Sequence, residues 1–272
     1  MPSLTSAEGF GFIESHDGCR LHVVVGGSSG QPPILFINSI GLDHSMWDRQ
    51  VGPLENDWYT VRYDSRGHGR SGVPRGEYTI EMLGLDALAV LDALDIERVV
   101  VVGSSIGGMT ALWLAANHPK RVEKLVLANC TAHIGKPAMW AERIAQIQAG
   151  GMDTIAEATA SRWLSDTFKT ERAEEARRLV EQLRVTHPDG FAGMCAVLRD
   201  VDLRDSLPSL TAQTLVIGAG GSGPETAAAA RLADTISSAE FVQVPHGGHL
   251  SNLESPDAFN AALNCFLTSD IS

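Results

Sequence analysis

The sequence predicts an α/β fold, in which a mostly parallel, doubly wound sheet carries a helical insertion. Short β-branched runs alternate with amphipathic helical segments, and the runs are almost continuously apolar, as in strands buried on both faces. This alternation lapses over residues 136–204, which are helical in pattern. We therefore predict one folding unit, with residues 1–135 and 205–272 as the core and residues 136–204 as a helical cap.

The strands and helices are predicted individually from these patterns. Two segments near residues 11–13 and 21–25 have no helix between them and predict an antiparallel edge hairpin. Apolar residues at helical spacing between Thr79 and Leu94 predict an amphipathic helix. Ser255, followed by proline and aspartate, predicts the N-cap of the last helix. Five apolar runs predict the buried parallel strands, at residues 34–37, 59–63, 99–102, 125–127 and 214–217.

Composition and charge disfavour several classes of protein. The 272 residues carry a formal net charge of −12, which disfavours nucleic acid as a partner and means that an anionic substrate needs local basic groups. No apolar run of about 18 residues predicts a membrane span, and no secretory signal is recognisable. The cysteines form no Cys-x-x-Cys pair, which disfavours a metal site and indicates a reducing cytoplasm. They are Cys19, Cys130, Cys195 and Cys265.

The strongest catalytic signal follows the strand at residues 99–102. There the chain reads Gly103-Ser104-Ser105-Ile106-Gly107 and continues into a helical segment. A Gly-x-Ser-x-Gly motif between a buried strand and a helix is typical of a nucleophile held on a sharp turn, with its hydroxyl exposed at the sheet edge. We predict that Ser105 is the nucleophile and that Ser104 does not face the cleft.

A serine nucleophile needs a general base and an oxyanion hole. His249 follows the apparent last strand and precedes the last helix, which matches the chain order of this motif; His246 is the alternative base. The backbone N–H of Ile106 is the first oxyanion donor. The second is expected in the loop after the strand at residues 34–37, where Ile40 is the preferred donor.

Several motifs together resemble the 3-oxoadipate enol-lactonase family of the α/β-hydrolase superfamily. They lie at residues 38–41 and 46–47, 63–72, 103–107, 139–140, 198–204 and 249–254, and at Phe259. The resemblance implies a cytoplasmic enzyme of aromatic catabolism that opens a small lactone or ester with water, through an acyl-enzyme and without a cofactor or metal. Trp140, on an apolar stripe of the cap, is predicted to line the substrate pocket.

The chain departs from this family at the triad acid. The family places an aspartate in the loop after the strand at residues 214–217, where Ser222 stands here. Glu225 lies three residues further on and becomes the acid if the loop is shifted. The other place from which such enzymes take an acid holds Asn129. The remaining alternative is a Ser–His dyad whose imidazole is oriented by Ser222 or Asn129.

The missing aspartate keeps other functions open. A non-hydrolytic enzyme of the same fold, either a lyase or a proton-shuttling catalyst, is the main alternative, together with a catalytically weakened relative. A binding protein without turnover is disfavoured because Ser105 and His249 are both present. The sequence gives no indication of oligomeric state.

Overall fold

The computed structural model describes residues 8–220 and 224–269. They form an eight-stranded sheet in the order β1-β2-β4-β3-β5-β6-β7-β8, flanked by helices, which confirms the predicted fold class. The strands are β1 Glu8–Glu14, β2 Arg20–Gly26, β3 Pro33–Ile37, β4 Tyr59–Tyr63, β5 Val99–Ser104, β6 Val122–Ala128, β7 Gln213–Gly218 and β8 Ala239–Gln243.

The sheet is antiparallel at one edge only. β1 and β2 form the predicted hairpin, with Phe12 opposite His22, and β2 is antiparallel to β4. All the other neighbouring strands run parallel. The chain moves outward from β3 to β4 and then returns to β5 on the other side of β3. In sheets of this kind the crevice at the carboxyl ends of the strands around such a reversal is the usual ligand site.

Helices cover the sheet and complete the core. Every residue of β4 and of β5 is buried, as the apolar runs predicted. The helices are α1 Asp48–Val51, α2 Ile80–Ala93, α3 Ile106–Asn117, α4 Pro137–Gly150, α5 Ala156–Trp163, α6 Asp166–Glu171, α7 Ala173–Val185, α8 Pro188–Asp200, α9 Pro224–Thr235, α10 Ser251–Glu254 and α11 Pro256–Thr268. Short 3-10 helices lie at His44–Trp47, Pro119–Arg121, Met152–Thr154 and Arg204–Ser209. Of the helices described, none is both long and apolar enough to cross a membrane.

The stretch between β6 and β7 is helical, and we refer to residues 136–204 as the cap segment. Its last helix, α8, touches the core backbone to backbone: a Cβ on Gly190 would lie 2.2 Å from the carbonyl oxygen of Gly67. Further along α8, the carbonyl of Gly193 accepts a hydrogen bond of 3.3 Å from the N–H of Tyr78. Glycine at these positions therefore allows an unusually close approach of the cap segment to the core.

One capping detail differs from the prediction. Ser255 does precede α11, but its hydroxyl donates to the carbonyl oxygens of Pro245 and His246, at 2.7 and 2.9 Å, and caps no N–H of the helix. The side chain is used to hold the preceding loop because those carbonyls lie within its reach.

Candidate active site

Ser105 lies on the sharp turn between β5 and α3. Its φ of 55° and ψ of −118° are strained for a residue with a side chain. The flanking glycines allow this turn: a Cβ on Gly103 would lie 2.2 Å from the carbonyl oxygen of Gly107, and one on Gly107 would lie 2.2 Å from that of Ile37. Ser104 is fully buried within β5, as predicted. The turn therefore presents Ser105 alone at the carboxyl edge of the sheet.

Ser105 opens into a cavity of about 260 Å³ between the sheet edge and the cap segment. His249 and Glu225 line the same cavity. The other walls are mainly apolar, and they are formed by Ile40, Met109, Trp140, Trp163, Phe191 and Leu198. Trp140 thus lies where the sequence placed it, whereas Trp163 and Phe191 were not predicted. In the sequence these two residues could be recognised only as large apolar side chains within helical segments of the cap.

The side chain of His249 contacts Glu225. Nδ1 of the imidazole lies 3.0 Å from Oε2 of the carboxylate, with the two side chains 14% and 56% exposed. The hydrogen bond to His249 lowers the pKa of Glu225 below its ordinary value, which keeps the carboxylate ionised. Glu225 lies in the first turn of α9, one residue after its starting Pro224. The other candidate acid, Ser222, lies outside the described residues.

The remaining candidates for a histidine or its partner have other contacts. Asn129 follows β6 with a positive φ of 49° and lines the cavity, but its Nδ2 donates to Oγ of Ser251 at 2.6 Å. His246, the alternative base, is exposed, and its φ of 56° belongs to the turn after β8. Of the described histidines, His249 is the one on the cavity wall.

Two backbone N–H groups remain for an oxyanion. Ile106 is the first residue of α3, so its N–H has no acceptor within the helix, and the positive end of the helix dipole lies beside it. Ile40 follows β3, the neighbour of β5, and lines the cavity; no acceptor for its N–H is found among the described residues. The loops that follow adjacent strands thus bring both predicted donors to the same end of the sheet.

Three basic side chains of the cap segment also line the cavity: Lys136, Arg143 and Arg162. None of them forms an ion pair with a carboxylate of the described residues; the guanidinium of Arg143 donates to Oγ1 of Thr159 at 2.8 Å. Burial and the nearby charge of Arg143 lower the pKa of Arg162. The sequence indicated that an anionic substrate needs local basic groups, but it did not identify these residues. Their proximity depends on how α4 packs against the rest of the cap segment.

A potential metal-ligand cluster lies elsewhere, at His22, His44 and Asp64, whose ligand atoms come within 4.8 Å of one another. Both oxygens of Asp64 are already hydrogen-bonded. They accept from the backbone N–H groups of His44 and Arg70 at 2.8 and 2.9 Å and face both imidazole Nδ1 atoms. These bonds lower the pKa of Asp64 despite its burial. We interpret the cluster as a structural tie between β2, β4 and the loop after β3.

Comparison with known proteins identifies the family to which the chain belongs. The family model for the alpha/beta hydrolase fold matches residues 32–256, and the chain belongs to this family. It is 36% identical over 266 residues to 3-oxoadipate enol-lactonase 1 of Acinetobacter baylyi, covering 94% of this chain and 96% of that protein.

Other relatives extend the comparison. A putative carbamate hydrolase RutD of Caulobacter sp. is 29% identical over 265 residues, covering 93% and 97% of the two chains. Among solved structures, the enol-lactonase from Burkholderia xenovorans superposes with a TM-score of 0.91 at 34% identity, covering 95% of this chain and all of the other. The resemblance to enol-lactonases predicted from the motifs is thereby confirmed.

Proposed function

We propose that the protein hydrolyses a small, negatively charged carboxylic ester or lactone, in the manner of a 3-oxoadipate enol-lactonase. The observation that carries the proposal is the convergence of three groups on one cavity: the strained Ser105, His249 with Nδ1 on Glu225, and unpaired cations of the cap segment. A nucleophile, an oriented base and an anion-binding wall suit acyl transfer to a charged substrate.

The first step forms an acyl-enzyme. Because Glu225 occupies Nδ1 of His249, the imidazole keeps Nε2 for the proton of the Ser105 hydroxyl. Oγ attacks the substrate carbonyl, the proton moves to Nε2, and the carbonyl oxygen becomes an oxyanion facing the N–H groups of Ile40 and Ile106. Collapse breaks the bond to the leaving oxygen, which takes the proton from the imidazolium.

Water completes the reaction by the reverse proton transfers. His249 removes a proton from water, the hydroxide attacks the acyl carbon, and the proton returns to Oγ of Ser105 as the acid is released. In a lactone the leaving oxygen stays joined to the acyl chain, so the whole substrate remains covalently bound until this second step. An enol is a good leaving group, which reduces the demand on a half-exposed triad acid such as Glu225.

The cavity wall supports this proposed class of substrate. A volume of about 260 Å³ suits a small molecule, and the positive charges of Arg143 and Arg162 favour a carboxylate on it. Trp140 contributes an apolar wall, and its buried indole N–H has no acceptor among the described residues. A local positive wall offsets the repulsion that a net charge of −12 exerts on an anion.

The non-hydrolytic alternative rested on the missing aspartate. Glu225 at 3.0 Å from His249 supplies a carboxylate, which favours the hydrolytic reading over a dyad or a proton-shuttling lyase. A cytoplasmic location is part of the proposal, because the four cysteines are free thiols and three of them are buried.

The test is turnover of a panel of small lactones, aryl esters and carbamates, with and without a carboxylate, by the native enzyme, by Ser105→Ala and by Ser104→Ala. We expect Ser105→Ala to lose at least about 10³-fold in kcat/KM and all labelling by a fluorophosphonate. Ser104→Ala is the matched control and should retain both. Activity that survives in Ser105→Ala would overturn the serine mechanism, and preferred turnover of carbamates would reassign the substrate class.

A further inference from the structure

Glu254, the last residue of α10, joins the loop of His249 to the cap segment. One of its oxygens accepts the hydroxyl proton of Ser165 at 2.5 Å, and both oxygens lie 3.2 Å from the backbone N of Ser165. The same carboxylate packs against the backbone of Gly248, where an added Cβ would lie 2.5 Å from Oε1. It therefore bridges the residue before the catalytic histidine and the N-cap of α6.

The loop and the cap segment are also in direct contact at this point. The backbone N–H of His249 donates to the carbonyl of Trp163 at 2.7 Å, and the two rings stack with centroids 6.1 Å apart. A Cβ on Gly248 would lie 2.4 Å from that carbonyl oxygen and 2.5 Å from Oε1 of Glu254. The backbone of the histidine loop is thus clamped between Trp163 and the Glu254 carboxylate.

Burying the charged carboxylate of Glu254 is unfavourable in free energy unless hydrogen-bond donors surround it. Burial raises the pKa of Glu254 above its ordinary value; no described cation lies within ion-pair distance of it, and the more distant charge of Arg172 only partly opposes this shift. The carboxylate accepts hydrogen bonds from both the hydroxyl and the backbone N–H of Ser165, and these two donors need acceptor lone pairs at one point. A glutamine offers fewer acceptor sites and sets an N–H group against these donors.

We propose that Glu254 is a positioning residue. It holds the imidazole of His249 in its catalytic orientation only while residues 163–165 of the cap segment are packed against the core. The inference rests on the proposed function, because it assigns His249 the role of general base. A substrate that binds the cap wall and packs residues 163–165 against the core would at the same time orient His249. The cap segment thereby acts on the chemical step as well as on binding.

The experiment compares Glu254→Gln with Glu77→Gln on a lactone or aryl ester that the native enzyme turns over. Glu77 is the matched control because its carboxylate also joins core to cap, through Arg199 at 2.7 Å, while neither residue lines the cavity. We expect Glu254→Gln to lower kcat about 10- to 100-fold with KM within about threefold, as for a misplaced catalytic group. Glu77→Gln should change neither, although both variants lower Tm.

A second variant keeps the test decisive if Glu254→Gln fails to fold. Ser165→Ala removes the hydroxyl that donates to Glu254, together with the cap bond that this hydroxyl accepts from the N–H of Phe168 at 3.1 Å. Its kcat should fall in the same direction by a smaller factor, and in the double variant the two losses should not add. Equal kcat in native enzyme, Glu254→Gln and Ser165→Ala overturns the inference. Retained activity in Ser105→Ala instead overturns the proposed function, so the two failures are distinguishable.

Discussion

Replacing Glu225 by glutamine isolates the charge of the triad acid. The amide oxygen of glutamine can still accept the Nδ1 proton of His249, so the tautomer is preserved while the negative charge is lost. Glu225→Ala removes the acceptor as well. The difference between the two variants separates electrostatic stabilisation of the imidazolium from orientation of its ring.

The magnitude follows from the geometry of the pair. Two unit charges at about 4 Å interact by roughly 1 kcal/mol in water and about 4 kcal/mol at an effective dielectric constant of 20. Because the Glu225 side chain is 56% exposed, its environment is closer to water than that of a buried triad aspartate. A loss of about 1–3 kcal/mol corresponds to about 5- to 150-fold in kcat/KM. That is well below the ~10⁴-fold cost of losing a buried aspartate.

The assay is kcat/KM on an activated aryl ester, measured at low and high ionic strength. Salt screens an exposed ion pair, so the native rate should fall with added salt more than the rate of Glu225→Gln. Ser222→Asp is the companion variant, and we expect it to give no gain. If Glu225→Gln loses less than about twofold while Ser222→Asp accelerates the reaction, the acid position is the family's usual one and the reasoning about Glu225 is wrong.

Three further outcomes follow from the cavity and the core. Trp140→Ala should change the ratio of kcat/KM values between large and small acyl groups about tenfold and lower stability by no more than about 1–2 kcal/mol, since the residue is only partly buried; equal ratios across the panel would contradict its place on the pocket wall. Arg162→Gln should raise KM about three- to tenfold for carboxylate-bearing substrates only, and a matching rise for neutral esters would show a general disturbance. Burial lowers the pKa of His68 to about 4, so the folded state keeps it neutral where the unfolded chain protonates near 6.5. The unfolded state therefore binds more protons in that window, and the free energy of unfolding should fall by about 3 kcal/mol as the pH drops from 6.5 to 4. In urea titrations His68→Gln should lack this component, and an unchanged pH slope would refute the assignment.

The sequence predicted those parts of the site that depend on backbone geometry. The turn at Ser105 is encoded locally, because glycine is required where a Cβ would meet the neighbouring backbone at 2.2 Å. The position of Ile40 follows from the adjacency of β3 and β5 in a doubly wound sheet. Both inferences use short-range sterics and strand order, which a single sequence does carry.

The rest of the site depends on where side chains from separate elements meet. Whether Glu225 reaches His249 depends on the path of the chain between β7 and α9, and a glycine-rich segment has too many allowed conformations to fix it in advance. Arg143, Arg162 and Glu254 were missed for a similar reason. Each is an ordinary surface type of residue in the sequence, and only the packing of the cap segment on the core brings it to the cavity or the histidine loop.

The glycine contact between α8 and the core bears on the route by which ligands arrive and leave. With Gly190 pressed against Gly67, α8 has no room to shift along the core at this point. At the start of α4, Lys136 and Met139 are exposed and also border the cavity. An exposed lysine therefore stands at the rim of the cavity, where its positive charge attracts an incoming anion.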